Sequence, residues 1–91
     1  MITIALFVYN RPEHTHRTLL ALQRAKYANM SHLYIFSDGA KSNRDKYIVD
    51  EVRSICSSVS GFASVEVVER QSNVGLAHNI ISGLDYLKKK K

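Results

Sequence analysis

Apolar runs and helical stripes alternate three times along this chain. Ile2 to Tyr9 is a continuous run of strand-forming residues, the pattern of a strand buried on both faces. Shorter segments rich in strand-forming residues occupy 33–36 and 65–68. Apolar residues elsewhere recur at spacings of three and four, which places them on one face of a helix. The predicted helices span about Pro12 to Lys26, about Arg44 to Ser58, and a last segment that follows Asn73.

Local signals indicate where these helices begin and which faces they bury. Pro12 suits only a first helical turn, and Asn10 is predicted to cap it. Asn73 is predicted to cap the last helix in the same way. The predicted apolar faces are Leu19, Leu22 and Ala25 in the first helix, Ile48, Val52, Ile55 and Val59 in the second, and Leu76, Ile80, Leu84 and Leu87 in the third.

Strands that alternate with helices of this length predict an α/β fold with a parallel sheet and right-handed crossovers. We expect a three-layer β-α-β-α-β-α unit with strand order 3-2-1 and helices on both faces. The most hydrophobic strand would then lie at an edge, although its pattern is typical of a central strand. We therefore interpret residues 1–91 as the amino-terminal part of a larger domain.

Composition fits one small globular domain, with 91 residues of which 45% are hydrophobic and 23% charged. The formal net charge is +5, but four of the thirteen basic residues form the tail Lys88–Lys91. Because no basic stripe with interleaved aromatics crosses the rest, a nucleic-acid partner is not expected. The single cysteine, Cys56, is expected in the core and fits a reducing, cytoplasmic compartment. No apolar run approaches the ~20 residues of a membrane-spanning helix.

Polar residues follow each of the three predicted strands. Ligands of open parallel sheets bind beyond the carboxyl ends of the strands, near the point where strand order reverses. The candidates for a nucleotide site are Tyr9, Asn10 and Arg11 after the first strand, Asp38 and Gly39 after the second, and Arg70, Asn73, Gly75 and Asn79 after the third.

Each main candidate has a structural explanation beside the functional one. Arg11 could bind a diphosphate through its two-pronged guanidinium, or be a solvated arginine. Asp38 could accept a hydrogen bond from the imino N–H of a base, or accept one from its own backbone two residues on in a turn. Tyr9 could lie against a base or simply pack. Gly75 could allow close approach of an anion to a helix start, although capping also explains an Asn-x-Gly pattern.

Several other kinds of site are excluded. His14 and His16 diverge by about 200° around a helix, so they cannot bind one metal ion from one face. The chain contains neither a Gly-x-Gly-x-x-Gly dinucleotide motif nor a Gly-x-x-x-x-Gly-Lys phosphate loop. No nucleophile with an adjacent base is recognisable. We therefore predict no catalytic residue and no metal ligand within these 91 residues.

Three segments taken together resemble the GT-A glycosyltransferases. They are Phe-Val-Tyr-Asn-Arg-Pro (7–12), Phe-Ser-Asp-Gly (36–39) and Asn-Val-Gly-Leu-Ala-His-Asn (73–79). Their order and spacing are similar to those of inverting family 2 enzymes and of the N-acetylglucosaminyltransferase I type. Small prokaryotic relatives with this pattern are sometimes labelled haemolytic-protein-like. The resemblance covers essentially the whole chain and implies a Rossmann-like fold. It also implies an enzyme that transfers the sugar of a nucleotide-diphosphate sugar to a hydroxyl, with UDP as the expected nucleotide.

The resemblance implies roles for individual residues. Tyr9 and Arg11 match the family's first nucleotide-contacting loop, and Asp38 matches the acid that reads the uracil ring. The loop and helix start that close over the donor are matched by Asn73, Gly75 and Asn79.

The resemblance also implies a limit. In the family, a fourth strand leads to an acidic motif that holds Mn²⁺ or Mg²⁺, whereas only Asp85 follows Asn79 here. We therefore expect half of a donor site, metal ligands outside this segment, and no transferase activity from this chain alone. The alternative is a non-catalytic α/β module that binds a nucleotide or a partner. Because Ile2 to Tyr9 carries no charge, we also expect this edge to pair two copies of the chain.

Overall fold

The computed structural model describes residues 2–90, in which strands and helices alternate. The strands are β1 (Ile2–Val8), β2 (Ser31–Ser37) and β3 (Ser64–Glu69). The helices are α1 (Pro12–Gln23), α2 (Asn43–Ser57) and α3 (Leu76–Lys89), and a short 3-10 turn (Ala28–Met30) precedes β2. No helix in this part of the chain is long and apolar enough to cross a membrane.

The three strands form one parallel sheet in the order β1-β2-β3. Ile2 pairs with Ser31 and Val8 with Ser37, so β1 and β2 run side by side over their whole length. β2 lies in the middle and is the most deeply buried strand. The predicted parallel α/β architecture is confirmed. β1, with its sequence pattern of a central strand, is an edge strand among residues 2–90.

The helices cover both faces of the sheet. α1 and α2 pack against each other on one face, and α3 packs across β1 and β2 on the other. The core between α1, α2 and the sheet is formed by Val8, Leu19, Leu33, Ile35, Val52 and Cys56. Cys56 is fully buried as predicted, and burial raises the pKa of its thiol to about 11 because desolvation disfavours the thiolate.

α3 lies close to the sheet because Gly83 has no side chain. A Cβ at this position would come within 2.7 Å of Phe7 Cε1 and 3.1 Å of Phe36 Cδ2. The rings of Phe7 and Phe36 stack with centroids 5.3 Å apart, and Tyr86 packs edge-on against Phe36 at 5.8 Å. The contact between helix and sheet is therefore a glycine on a pair of aromatic rings.

The face of α3 that meets the sheet differs from the predicted one. Its buried residues are Asn79 and Gly83, whereas Leu76 and Leu84 of the predicted apolar stripe are 67% and 54% exposed. Apolar periodicity identifies a stripe but not the element that covers it. The sheet-facing side of α3 therefore lies beside the apolar stripe, of which Ile80 and Leu87 are partly buried.

The end of α1 and the buried face of α2 also differ from the prediction. α1 ends at Gln23 instead of Lys26, so Ala25 lies outside the helix and is exposed. In α2, Ile48 is 39% exposed and the neighbouring Val49 is buried in its place. The buried face of α2 is thus rotated by one residue from the predicted apolar face.

Neither of the asparagines predicted as helix caps is one. Arg11 is the N-cap residue of α1 and Gly75 that of α3, and neither helix has a side-chain cap. Asn10 donates instead to the carboxylate of Asp45, and Asn73 is likewise engaged elsewhere. Both amides are recruited by carboxylates that lie far away in the sequence.

Candidate functional site

A cavity of about 370 Å³ lies at the carboxyl end of β1, between α1 and the start of α3. Its apolar wall comes from the end of β1 together with Leu76 of α3. Five of the predicted site residues line it: Tyr9, Asn10, Arg11, Asp38 and Asn79. Such a position, outside the carboxyl end of a parallel strand, is where α/β sheets bind ligands.

Asp38 follows β2, is 3% exposed, and has both carboxylate oxygens occupied by donors of the chain itself. Oδ1 accepts from the N–H groups of Gly39 at 2.8 Å and Val74 at 2.9 Å. Oδ2 accepts from the N–H of Gly75 at 3.0 Å and from Nδ2 of Asn73 at 3.3 Å. Because a carboxylate offers about four acceptor sites, a further donor has to displace one of these.

These bonds place the Asp38 carboxylate at the amino end of α3. The N-cap residue Gly75 has a φ of +86°, which favours glycine, and the first turn of α3 contains no acidic residue. The positive end of the helix dipole is therefore compensated by a carboxylate from another element. Asn73 also donates to the Gly39 carbonyl at 3.0 Å and so joins the loop after β3 to the loop after β2.

Gly39 lets the loops after β2 and β3 approach each other. A Cβ on Gly39 would lie 2.5 Å from the carbonyl carbon of Ser72, a distance that backbone atoms cannot accommodate without moving. Gly39, Asn73 and Gly75 do not line the cavity. These three predicted site residues shape the loop behind Asp38.

Tyr9 and Asn10 are held by Asp45, in the first turn of α2. The Tyr9 hydroxyl and Asn10 Nδ2, at 3.0 Å, donate to the Asp45 carboxylate, which also accepts from the Lys41 N–H at 3.1 Å. The hydrogen bond to Asp45, with burial and the charge of this carboxylate, raises the pKa of Tyr9 to about 12. The same bond lowers the pKa of Asp45. The ring of Tyr9 lines the cavity while its hydroxyl is fixed.

Arg11 is the cation at the mouth of the cavity. Its side chain is exposed, and it forms no ion pair with a carboxylate of residues 2–90. His14, Thr15 and Thr18 of α1 line the cavity beside it, although the sequence pattern does not mark them. A guanidinium with free donors can bind a phosphate group through two parallel hydrogen bonds.

Arg70 lies against α3 and does not line the cavity. Its Nε donates at 3.2 Å to Oδ1 of Asn79, which is 1% exposed and donates through Nδ2 to the Phe36 carbonyl at 3.1 Å. The guanidinium lies 5.7 Å from the centroid of the Phe36 ring. Its Nη2 is buried without a hydrogen-bond partner among the described residues. Arg70 therefore joins the end of β3 to α3.

Comparisons of the chain with protein-family models, with curated proteins and with solved structures find no match. The assignment of the cavity therefore depends on its own geometry.

Arg53 of α2, which no sequence pattern singles out, joins the carboxyl ends of β2 and β3. Its Nε donates to Ser37 Oγ at 2.9 Å, and Nη2 donates to the carbonyls of Ser37, Asp38 and Arg70 at 3.3, 3.2 and 2.7 Å. Its Nη1 lies 3.9 Å from the Glu69 carboxylate. A single arginine on an amphipathic helix has no periodicity that marks it, so sequence reasoning misses it.

The glycosyltransferase resemblance implies metal ligands outside this segment, and potential ligands within the described part of the chain are dispersed. Among residues 2–90, no three His, Cys, Asp or Glu side chains come together in a group that could hold a metal ion. Near the cavity, the Asp38 carboxylate accepts hydrogen bonds from backbone N–H groups, and the side chain of His14 is exposed. The cavity is a candidate site for an organic anion.

Proposed function

We propose that this chain is the donor-nucleotide-binding part of a GT-A-type glycosyltransferase, which transfers the sugar of a UDP-sugar to a hydroxyl acceptor and releases UDP. The observation that carries the proposal is the cavity at the end of β1, with Arg11 at its mouth and Tyr9 and Asp38 in its wall. Its volume of about 370 Å³ falls within the range of about 300–1,000 Å³ that is usual for small-molecule sites.

The position of α3 supports a reversal of strand order beside β1. α1 and α2 share one face while the chain advances from β1 to β3, and α3 lies on the opposite face across β2 and β1. Because crossovers between parallel strands are right-handed, a strand that followed α3 would pair with the free edge of β1. The cavity would then lie at the switch point, which is the usual nucleotide position. We therefore propose that residues 1–91 belong to a larger domain.

The proposal assigns separate parts of the nucleotide to separate residues. Arg11 binds the diphosphate, and the ring of Tyr9 lies against the base. Asp38 accepts a hydrogen bond from the imino N–H of uracil in place of its longest one, which is the bond of 3.3 Å from Asn73. The catalytic acids and the ligands for Mn²⁺ or Mg²⁺ lie outside this segment in the proposal, because residues 2–90 supply no such group.

Titration of UDP into the ¹⁵N-labelled chain, followed by NMR, tests the site. Shifts are expected at residues 9–11, 38–39 and 73–79. Losing a charge-assisted hydrogen bond costs about 1.5–3 kcal/mol, so Arg11→Ala is expected to weaken binding roughly tenfold or more. Arg17→Ala is the matched control, because Arg17 is exposed on the same helix and does not line the cavity. Equal affinities of the two variants, or shifts elsewhere, would contradict the proposal.

The four donors on Asp38 favour a second candidate, a non-catalytic module in which Asp38 only holds the loop after β3. The two functions differ in base selectivity, because uracil has an imino N–H at position 3 and cytosine has only an acceptor. If Asp38 reads the base, Asp38→Asn abolishes a preference for UDP over CDP. If Asp38 only holds the loop, the variant loses stability and the ratio of the two affinities stays unchanged.

A further inference from the structure

One row of backbone groups on β1 faces no strand among residues 2–90. The Val8 carbonyl accepts a hydrogen bond of 2.9 Å from the Asp38 N–H, so Val8 directs its backbone groups toward β2. Successive residues of a strand direct theirs to opposite sides. Thr3, Ala5 and Phe7 therefore direct their N–H and C=O groups to the free edge.

Nothing in β1 resists pairing with another strand. Natural sheet edges are protected by charged side chains, proline or bulges. Ile2–Val8 contains no charged residue and no proline, and its register with β2 is unbroken. The edge is therefore a regular template for another strand.

An apolar stripe on α3 is partly uncovered next to this edge. Leu76, Ile80, Leu84 and Leu87 share one helical face by their spacing, and Leu76 and Leu84 are 67% and 54% exposed. Leu76 shares a cavity wall with Phe7, which places the stripe on the β1 side of α3. The edge and the stripe form one continuous surface.

We propose that a second copy of this chain covers this surface. A two-fold axis perpendicular to the sheet at Ala5 pairs the two β1 strands antiparallel over their whole length. Ala5 then lies opposite Ala5 of the partner subunit, and Thr3 opposite Phe7 of the partner subunit. Both pairs join residues whose backbone groups point outward, so each pair exchanges two hydrogen bonds. The result is one continuous six-stranded sheet.

The same axis brings the two α3 helices into contact. Neighbouring strands lie about 4.8 Å apart, and α3 lies over β1 and β2. The two α3 axes are therefore roughly 10 Å apart, the distance at which helices pack. A second copy thus covers the backbone edge and the leucine stripe together, whereas an isolated peptide strand would leave the stripe exposed.

This inference goes beyond the proposed function and involves no nucleotide. A strand supplied by a longer chain would compete for the same edge, so the test uses the 91-residue chain. Its readout is molecular mass, which does not depend on whether UDP binds.

Sedimentation or light scattering at rising protein concentration measures the association. Wild type is expected to form dimers that dissociate on dilution. Thr3→Lys places a charge opposite Phe7 of the partner subunit at each end of the paired strands and is expected to raise the dissociation constant by about tenfold or more. Ser64→Lys is the matched control, because it adds the same charge at an exposed position of β3. A monomer at millimolar concentration, or equal weakening by both variants, would overturn the proposal. Circular dichroism verifies that each variant is folded.

Disulfide cross-linking tests the register. Directly opposed residues that exchange hydrogen bonds have Cα atoms about 5.5 Å apart, within the disulfide range. The two copies of residue 3 lie roughly 14 Å apart in the same arrangement. Mild oxidation is therefore expected to cross-link Ala5→Cys and not Thr3→Cys, while buried Cys56 is common to both. Cross-linking of Thr3→Cys alone would refute pairing about Ala5.

Discussion

The two edge strands of this sheet differ in charge. β1 (Ile2–Val8) carries no ionisable side chain, whereas β3 (Ser64–Glu69) carries Glu66 and Glu69. Charged side chains on an edge oppose pairing with another chain. The outer edge of β3 is therefore protected against pairing, whereas that of β1 is suited to it.

The charges of β3 also attach it to the helices on both faces. Tyr86 donates to the Glu66 carboxylate, and Lys90 forms an ion pair of 3.0 Å with it on the α3 side. On the α2 side, Arg53 lies 3.9 Å from Glu69. β1 has only apolar packing for the same purpose. Polar contacts thus hold one edge in place, while the other presents apolar surface next to the cavity.

The largest expected effect comes from removing the polar attachment at the β3 end. Arg53→Met keeps the apolar stem but leaves the carbonyls of Asp38 and Arg70 without the donor that Arg53 supplies, whereas the Ser37 carbonyl keeps its bond from the Arg70 N–H. Unsatisfied buried acceptors cost about 1–3 kcal/mol each, so we expect a loss of about 3 kcal/mol in the free energy of unfolding. Urea denaturation measures it.

Arg44→Met provides the control for this loss. Arg44 is exposed at the start of the same helix, and a surface substitution of this kind is expected to change stability by no more than about 0.5 kcal/mol. If the Arg53 and Arg44 variants lost the same stability, the polar attachment of β3 would be unimportant.

A smaller loss is expected where α3 packs on β1. Gly83→Val inserts atoms where even a Cβ would lie 2.7 Å from Phe7 and 3.1 Å from Phe36. Overpacking of this kind costs about 1–3 kcal/mol, and we expect about 2 kcal/mol by urea denaturation. Ile81→Val creates the same residue in the same helix at a position that is 64% exposed. A Gly83→Val variant as stable as this control would show that α3 can move away from the rings without cost.

The sequence predicts the elements of this fold because their signals are local. Continuous apolar runs and stripes at helical spacing identify three strands and three helices, and their alternation leads to a parallel sheet. The location of the candidate site follows from the same argument. Tyr9, Asn10, Arg11 and Asp38 come together at one cavity because parallel strands end on the same side of the sheet.

Contacts between distant segments account for what the sequence does not predict. Asn10 and Asn73 look like helix caps, but Asp45 and Asp38 engage their amides from other elements. The buried face of α3 is set by Gly83, a residue that adds nothing to an apolar stripe. Such outcomes depend on which carboxylate or ring is nearby in space, and a local pattern contains no information about that.

The smallest expected effect is the dependence of the β3 edge on pH. The hydrogen bond from Tyr86, followed by that from Lys90, lowers the pKa of Glu66. The folded state therefore binds fewer protons than the unfolded chain, in which a glutamate titrates near about 4.3. The stabilisation is complete above that pH and is lost as the pH falls through the lower pKa of the folded state. Glu66 is 37% exposed, so screening by solvent limits the effect to below about 1 kcal/mol.

Urea denaturation of wild type and Glu66→Gln at pH 7 and pH 3 measures this dependence. Wild type is expected to be the more stable at pH 7, and the difference is expected to shrink at pH 3, where Glu66 of the unfolded chain is protonated. Comparison with the variant removes the contribution of Asp45, whose lowered pKa gives wild type and variant the same trend. Glu51→Gln, at an exposed position of α2, is expected to leave the profile of wild type unchanged. If Glu66→Gln also left it unchanged, the charge of Glu66 would serve only to keep other chains from pairing with β3, and its contacts with α3 would contribute no stability.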